Sequence, residues 1–364
     1  MLPFSQRLAQ FCKQVDCRPV KFGKMARLYF SARGSVMLKQ DPDSILVWSE
    51  KYKLDLVAFG VEKPFAVDRG LMVLQKLAEQ KEFEGYKEPR MATEAELATL
   101  HTPEYMQILP LADTWKEIFE LKSHEYFPER ATRPLSHLYD DIRLQTGGTM
   151  EAVEIALKKG FSANLGGGFH HAYAEKGTGF CGIQDVGIAI RWAQARGLVK
   201  NVMTLDFDFH QGDGTAKVFE GDDTVYTVSV HSEEGWPETK QVSDLDVGVL
   251  SAEQDLYLDK CRFALDTALG GFKPDLIVYL AGSDPYEKCA LPGSQLIKRP
   301  LAEMQKRDEM VIDRCAAEKI PMAMVFAGGY GDHVWEVHYL AVRHMLDKAG
   351  LLSRSDKALV TKGK

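Results

Sequence analysis

The chain has 364 residues, of which 45% are hydrophobic and 27% are charged, a composition typical of a folded protein with a large core. Its formal net charge of −7 and isoelectric point of about 5.9 offer no overall attraction to nucleic acid, and no apolar run of about 18 residues is present that could span a bilayer. We therefore expect neither nucleic-acid binding nor membrane insertion.

The chain contains no Pro/Gly/Ser-rich linker, internal repeat or low-complexity tract, so we predict one catalytic domain over residues 41–350. A basic N-terminal extension over residues 1–40 and a tail over residues 351–364 flank it. No secretory signal peptide opens the chain and no C-x-x-C pair occurs, which favours reduced thiols and a cytoplasmic location. The six cysteines are Cys12, Cys17, Cys181, Cys261, Cys289 and Cys315.

The N-terminal extension differs in charge from the rest of the chain. Residues 1–40 contain eight Lys or Arg against one acid, Asp16, which gives a local charge of +7. An Arg-containing, acid-poor start is also typical of an organellar transit peptide. We favour a structural role, in which the extension packs on the domain or on a partner subunit and so supports a homo-oligomer.

From residue 145 onward, short apolar runs alternate with longer stretches of helical periodicity, the pattern of an α/β protein. Most of the runs are apolar throughout, as in strands that are covered on both faces. Predicted strands cover residues 45–48, 162–165, 201–207, 224–229, 276–280 and 322–326. Predicted helices cover residues 67–80, 146–159, 185–197, 252–269, 300–318 and 332–347.

Several of these predicted strands end directly in segments rich in Gly, Asp or His. In open α/β sheets the ligand crevice lies outside the carboxyl ends of the strands, so we expect these segments to converge on one site. They are the glycines 166–168 with His170 and His171, the stretch from Asp208 to Asp213, Gly282 to Asp284, and Gly328 to Tyr330.

The segment that follows the third predicted strand indicates a metal site. Polar and apolar residues alternate there, which places Asp206, Asp208 and His210 on one side of an extended backbone. Burying this much charge is costly without a compensating cation, and a catalytic Zn²⁺ commonly has three protein ligands and one open position. Asp208 and His210 supply two ligands. Asp284 is the candidate third, because it follows a strongly apolar strand, although Pro285 after it also fits a simple turn.

Asp206 lies one step further back in the strand, too deep to reach the same ion. It suits a carboxylate that orients a histidine, or part of a monovalent-cation site with backbone oxygens and Ser229. The adjacent His170 and His171 suit proton transfer near neutral pH. Each needs a carboxylate to fix its tautomer, and Asp206 and Asp213 are available for this.

Aromatic residues beside glycines are candidates for contacts with substrate. Tyr330 follows two glycines, where its hydroxyl could donate to a developing oxyanion opposite the metal, although most tyrosines at strand ends simply pack. Phe180, next to Gly179, and Trp236 are candidate walls of a narrow apolar channel for an extended aliphatic chain.

Taken together and in this order, these segments resemble the histone deacetylase superfamily, in particular its class IV-like and bacterial branch. The resemblance covers roughly residues 45–347. It rests on GGFHHA at 167–172, GFC at 179–181, DFDFHQGDGT at 206–215, VSVH at 228–231, AGSD at 281–284 and GGY at 328–330, with GVEKPF at 60–65, GGGFHH at 166–171 and SDLD at 243–246 for the branch.

The resemblance implies a single-domain arginase/deacetylase fold, a doubly wound, mostly parallel sheet with helices on both faces. It implies one Zn²⁺ per chain, or alternatively Fe²⁺, on Asp208, His210 and Asp284. His170 would pair with Asp206, His171 with Asp213 as the principal general base and acid, and Tyr330 would polarise the carbonyl. A structural K⁺ would contact Asp206, Asp208 and Ser229.

The implied activity is removal of acetyl or longer acyl groups from lysine side-chain amines in peptides or proteins. Acetylpolyamines or other small amides are the alternative substrates. A two-metal ureohydrolase would need an acid two residues beyond His210, where the chain has Gly212, and a non-catalytic acyl-lysine-binding module would be expected to lack some proton-transfer residue. The chain departs from the family pattern at Gln184, where an Asn often precedes the acid, and near Cys289, where another acid is usual.

Overall fold

The computed structural model describes residues 38–52, 55–62, 68–83 and 85–352. The proposals for the basic extension up to residue 37 and for the tail from residue 353 therefore lie outside the described residues. Within the described part, the chain from residue 38 onward forms one compact unit.

Seven strands form one sheet in which every neighbouring pair is parallel. In chain order they are β2 (Leu46–Val47), β4 (Phe161–Asn164), β5 (Val202–Asp206), β6 (Val225–Ser232), β7 (Leu245–Val249), β8 (Leu276–Leu280) and β9 (Met322–Val325). Across the sheet the order is β2-β4-β9-β8-β5-β6-β7. Two further short strands, β1 (Lys39–Gln40) and β3 (Gly85–Tyr86), pair with each other.

Burial on both faces explains why these strands read as continuous apolar runs. All five residues of β8 and all four of β9 are buried. The six predicted strands are confirmed, and none of their ends shifts by more than three residues. The edge strand β7 was not predicted, because its residues are mostly half-exposed and include Asp246 and Gly248.

The longer helices pack as two sets, one on each face of the sheet. One set contains Leu138–Lys159, Asp185–Ala195 and the short Asp213–Val218, and the other contains Arg69–Glu79, Tyr257–Gly271, Leu301–Glu318 and Trp335–Lys348. This arrangement confirms the predicted α/β architecture with a mostly parallel sheet. None of the described helices is both long and apolar enough to cross a membrane.

The predicted helix over residues 146–159 begins earlier than expected, at Leu138. Its first turn contains Asp140 and Asp141, which suit the positive end of a helix dipole. Four short described helices were also not predicted: Glu94–Leu97, Pro103–Ile108, Ala112–Ile118 and Asp213–Val218. The first begins with a capping box between Thr93 and Glu96, a local signal too brief to show helical periodicity.

The order of the strands determines where a site can form. The chain passes from β4 to β5, moves outward to β7, and then returns to place β8 and β9 in the gap between β4 and β5. Such a reversal opens a crevice at the carboxyl ends of the central strands. Four adjacent strands, β4, β9, β8 and β5, therefore present their following loops to one place.

Candidate active site

Three buried side chains at the ends of β5 and β8 form a cluster suited to a metal ion. Ligand atoms of Asp208, His210 and Asp284 all lie within 4.8 Å of one another. Nδ1 of His210 is 2.9 Å from Oδ2 of Asp284 and 3.2 Å from Oδ1 of Asp208. The structure thus brings together the three residues that the sequence suggested as ligands.

Backbone amides hold the two carboxylates of this cluster in place. Asp208 accepts hydrogen bonds from the backbone N–H of His210 at 2.9 Å and of Gly328 at 2.7 Å. Asp284 accepts one from the N–H of Phe209 at 2.9 Å. A side chain at Gly282 or Gly328 would collide with the Asp208 carboxylate, so both glycines permit the close approach of the loops after β8 and β9.

The chemistry of the cluster fits a divalent cation. Oδ2 of Asp284 is buried and accepts no hydrogen bond of standard geometry from the described residues. Burial and the adjacent Asp208 raise the pKa of the Asp284 carboxyl, which reflects two like charges crowded away from water. A cation on these ligands would relieve that crowding. Two carboxylates and one imidazole also match the ligand types of catalytic zinc sites.

Each of the two adjacent histidines is paired with a carboxylate through its Nδ1 atom. Nδ1 of His170 is 2.7 Å from Oδ2 of Asp206, and Nδ1 of His171 is 2.6 Å from Oδ1 of Asp213. The ring centroids of the two histidines are 3.9 Å apart. An ionised carboxylate can only accept a hydrogen bond, so Nδ1 of each histidine carries a proton and donates it to the carboxylate. Nε2 is then the atom of each ring that is left for chemistry.

The environments of the two histidines push their pKa values apart. Burial alone would lower the pKa of His170, but the carboxylates of Asp206 and Asp208 raise it to about 10. Burial and then the neighbouring His170 lower the pKa of His171 to about 4, against the opposing effect of Asp213. These surroundings favour the charged form of His170 and the neutral form of His171, and a neutral imidazole can accept a proton.

The loop that carries these histidines is fixed by a carboxylate that the sequence analysis did not assign to the site. Asp185, which is fully buried, accepts hydrogen bonds from the backbone N–H groups of Gly168 at 2.9 Å and Phe169 at 2.7 Å, and from the hydroxyl of Thr149 at 2.5 Å. Gly168 has a φ of +84° and lies so close to Ala327 that a Cβ atom would be 2.8 Å from the Ala327 backbone.

A cavity of about 380 Å³ opens onto the cluster. Its walls combine catalytic candidates with apolar and small residues from eight separate parts of the chain. They include Tyr52, Leu56, Arg69, Gln145, Leu165, Gly166, His170, His171, Gly179, Phe180, Asp208, His210 and Tyr330.

The aromatic residues proposed as channel walls lie beside the catalytic candidates. The ring of Phe180 is 6.2 Å from that of Tyr330, in an edge-to-face arrangement. Trp236 stands edge-on to His171 at 4.5 Å. Gly179 lies between these two rings, because a Cβ atom there would be 2.7 Å from both His171 and Trp236. Gly179 and Phe180 therefore line the cavity as predicted, whereas Trp236 packs against His171 but is not among the lining residues.

The turn that carries Tyr330 is held by an arginine from a distant helix. Arg69, at the start of helix Arg69–Glu79, donates hydrogen bonds to the carbonyl oxygens of Ala327 at 2.7 Å and Gly328 at 2.9 Å. Burial and the carboxylates of Asp284 and Asp208 raise the pKa of Tyr330 well above its usual range, so its hydroxyl keeps its proton. Tyr330 can therefore act as a hydrogen-bond donor toward the cavity.

A second buried arginine holds the loops that carry Asp208 and Asp284. Arg307 is fully buried and donates hydrogen bonds to the carbonyl oxygens of Phe207 at 3.0 Å and Gly282 at 2.7 Å. These carbonyls lie one residue before Asp208 and two before Asp284. The guanidinium also pairs with Asp308, which accepts a hydrogen bond from Tyr279 at 2.5 Å.

Ser229, the third proposed contact of a potassium ion, is buried next to Asp206. The two residues are register partners on neighbouring strands β5 and β6. The hydroxyl of Ser229 lies 2.9 Å from Nδ1 of His231. The described hydrogen bonds do not join the Ser229 hydroxyl to Asp206 or to Asp208. Ser229 therefore lies beside Asp206 without a direct hydrogen bond to it.

The comparison with known protein families agrees with this geometry. Residues 63–346 match the model of the histone deacetylase domain. The chain is 32% identical over 293 residues to histone deacetylase 2 of Arabidopsis thaliana, covering 78% of this chain and 74% of that protein. It is 39% identical over 203 residues to an uncharacterized protein of Picosynechococcus sp., covering 55% of this chain and 65%, slightly less than two thirds, of that relative.

A solved structure shows the same fold at lower sequence identity. An acetylpolyamine aminohydrolase from Burkholderia pseudomallei superposes with a TM-score of 0.61 at 19% identity, covering 84% of this chain and 98% of that one. The family match spans most of the domain, and these relatives indicate a hydrolase that acts on amide bonds. The chain belongs to the histone deacetylase family.

Proposed function

We propose that this protein is a zinc-dependent lysine deacylase that removes acetyl or longer acyl groups from lysine side chains. One observation carries the proposal: a buried Asp-His-Asp cluster, two histidine–carboxylate pairs and Tyr330 meet at a single cavity. Each group in this set has a role in hydrolysis of an amide. We also propose that it acts in the cytoplasm, in line with four described cysteines that are buried and unpaired.

Asp208, His210 and Asp284 would hold the zinc ion. When bound, the ion would polarise the amide carbonyl and lower the pKa of a water molecule. Neutral His171 accepts a proton from the attacking water at Nε2, while Asp213 stabilises the charge that develops on the ring. Tyr330 donates to the developing oxyanion, and a charged histidine protonates the leaving amine. His170 is suited to the last role because its Nδ1 is paired with the Asp206 carboxylate, which favours the charged ring.

We further propose that a potassium ion binds beside this site and supports it. Asp206, Asp208 and Ser229 would contribute oxygen ligands, with backbone carbonyls completing the shell. The burial of all three residues and the register pairing of Asp206 with Ser229 support this assignment.

Small acylated amines are the alternative substrates, and the acetylpolyamine aminohydrolase with the same fold is the reason to test them. A two-metal ureohydrolase is less consistent with the site, because Gly212 stands where a further carboxylate would be needed. A measured metal-to-protein ratio near two would contradict the single-metal assignment. A non-catalytic binding module would not need both histidine pairs and Tyr330.

A substrate survey tests the proposed activity. We expect the metal-loaded protein to hydrolyse lysine peptides within a series that carries acyl chains of two to sixteen carbons, with acetylpolyamines hydrolysed more slowly. Release of the free amine is the measurement, and an Asp284→Ala variant is the control for contaminating hydrolases. Faster hydrolysis of acetylpolyamines would favour the alternative, and no hydrolysis of any compound would refute the deacylase proposal.

Replacing Tyr330 by phenylalanine tests its role as the oxyanion donor. We expect kcat to fall by roughly 100- to 1000-fold, the usual effect of removing one such donor, while bound metal is unchanged. Tyr226→Phe is the control, since Tyr226 stacks on Phe272 with ring centroids 5.2 Å apart and lies at the amino end of β6, whereas the site lies at the carboxyl ends of the strands. A small loss of kcat in Tyr330→Phe, or an equal loss in both variants, would contradict the assignment.

A further inference from the structure

We infer that Tyr173 is a positioning residue that acts on His171 through the carboxylate of Asp213. The inference rests on the proposed function, in which His171 is the base. Tyr173 follows His171 by two residues. Its side chain is buried, with 6% of its surface exposed.

The geometry joins three side chains in a row. The Tyr173 hydroxyl donates to Oδ2 of Asp213 at 2.7 Å, while Oδ1 of the same carboxylate is 2.6 Å from Nδ1 of His171. Both carboxylate oxygens are therefore engaged, one by the phenol and the other by the imidazole. A carboxylate held at both oxygens is fixed in rotation, and that fixes the plane and tautomer of the imidazole.

The other histidine pair shows why the phenol is needed. Asp206 binds His170 through Oδ2, and its Oδ1 accepts the backbone N–H of Asp208 at 3.1 Å. The strand itself therefore orients Asp206. The described hydrogen bonds to the Asp213 carboxylate come from side chains alone, those of His171 and Tyr173.

Tyr173 is itself well anchored. Its backbone N–H donates to the carbonyl of Lys176 at 2.8 Å, and the Lys176 ammonium lies 4.5 Å from the centre of its ring. These contacts close a short turn directly after the two histidines. The phenol therefore approaches Asp213 from a rigid part of the same loop that carries His171.

Loss of the hydroxyl has a specific chemical consequence. Phenylalanine at position 173 would leave Oδ2 of Asp213 buried without this donor, and the carboxylate would be free to turn away from His171. His171 would then spend part of its time with the proton on Nε2, where it cannot act as a base. Proton transfer would slow, whereas substrate binding would be unaffected.

The first test compares Tyr173→Phe with Tyr139→Phe. We expect kcat of Tyr173→Phe to fall by about 10- to 100-fold with KM and metal content unchanged, by analogy with the loss of a residue that orients a metal-bound histidine. Tyr139 is also 6% exposed, but its buried hydroxyl has no hydrogen-bond partner among the described residues. Its conversion to Phe should change nothing. Equal kcat values for wild type and Tyr173→Phe would overturn the inference.

A double-mutant cycle with Asp213→Asn shows whether Tyr173 acts through Asp213. If it does, adding Tyr173→Phe to the Asp213→Asn variant should lower kcat by a much smaller factor than Tyr173→Phe lowers it in the wild type. The same fold-loss in both backgrounds would show that Tyr173 acts independently of Asp213, and would overturn the inference.

A spectroscopic test does not depend on activity. The proton on Nδ1 of His171, shared with Asp213, should give a downfield NMR signal that disappears in His171→Gln. We expect Tyr173→Phe to shift or broaden this signal and Tyr139→Phe to leave it in place. An unshifted signal in Tyr173→Phe would refute the inference about Tyr173, whether or not a substrate is known. Failure to find any acylated substrate would instead count against the deacylase proposal.

Discussion

Replacing Asp208 by alanine is expected to abolish metal retention and with it nearly all turnover. The carboxylate is fully buried at the centre of the Asp-His-Asp cluster, so its loss removes one of three ligands. Loss of a residue that merely orients a ligand costs about 10- to 100-fold in metal affinity or activity, and loss of the ligand itself should exceed this. The measurement is the metal content of the purified protein after dialysis, with kcat determined in parallel.

The Asp208 carboxylate also accepts the backbone N–H of Gly328, so the folded state of the variant must be checked. Asp208→Asn retains a side chain of the same shape with an oxygen acceptor, and circular dichroism should show both variants folded. Asp313→Ala is a suitable control because Asp313 pairs at the surface with His344 and Lys348, far along the chain from any ligand. Full metal retention by a folded Asp208→Ala protein would refute the ligand assignment.

Replacing Arg307 by methionine is expected to destabilise the fold by about 3–5 kcal/mol, the usual cost of leaving one partner of a buried ion pair alone. The change strands the buried Asp308 and removes the donors to the carbonyls of Phe207 and Gly282. Because those carbonyls flank the metal-binding loops, metal affinity should fall together with stability. Urea unfolding monitored by fluorescence measures the first effect and metal titration the second.

Arg314 offers a matched control on the same helix, Leu301–Glu318. Its guanidinium forms ion pairs with Asp266 and Glu318, but all three side chains are substantially exposed. Exposed pairs contribute about 1 kcal/mol or less, so Arg314→Met should be nearly neutral. Equal destabilisation by the two changes would show that the buried network around Arg307 has no special importance.

The fold could be predicted largely from the sequence because burial on both faces leaves an unmistakable apolar pattern. The strand Leu276–Leu280 was predicted with its observed bounds, and its position explains why Asp284 reaches the cluster. Asp208 and His210 were suggested by their alternation along one strand. Asp284 needed both its place after a strand and the family resemblance, because a single Asp before a Pro also fits a turn.

The residues that support the site could not be found in this way. Arg69 lies 258 positions before Ala327, whose carbonyl it binds, and no local pattern links them. Arg307 reads as a surface residue of a charged helix, although it is fully buried. Asp185 resembles an ordinary first-turn acid, and Tyr173 an ordinary loop aromatic. Their roles depend on contacts that only the assembled sheet creates.

The arrangement of the central strands also bears on how the protein folds. In the sheet, Phe161 of β4 pairs with Met322 of β9, its partner 161 positions later in the chain, and Val202 of β5 pairs with Leu276 of β8. Pairings between such distant segments require large loops to close, and they form slowly. The proposed metal ligands follow two of these strands, β5 and β8, so no short fragment contains the whole site. Catalytic competence should therefore be among the last properties that the nascent chain acquires.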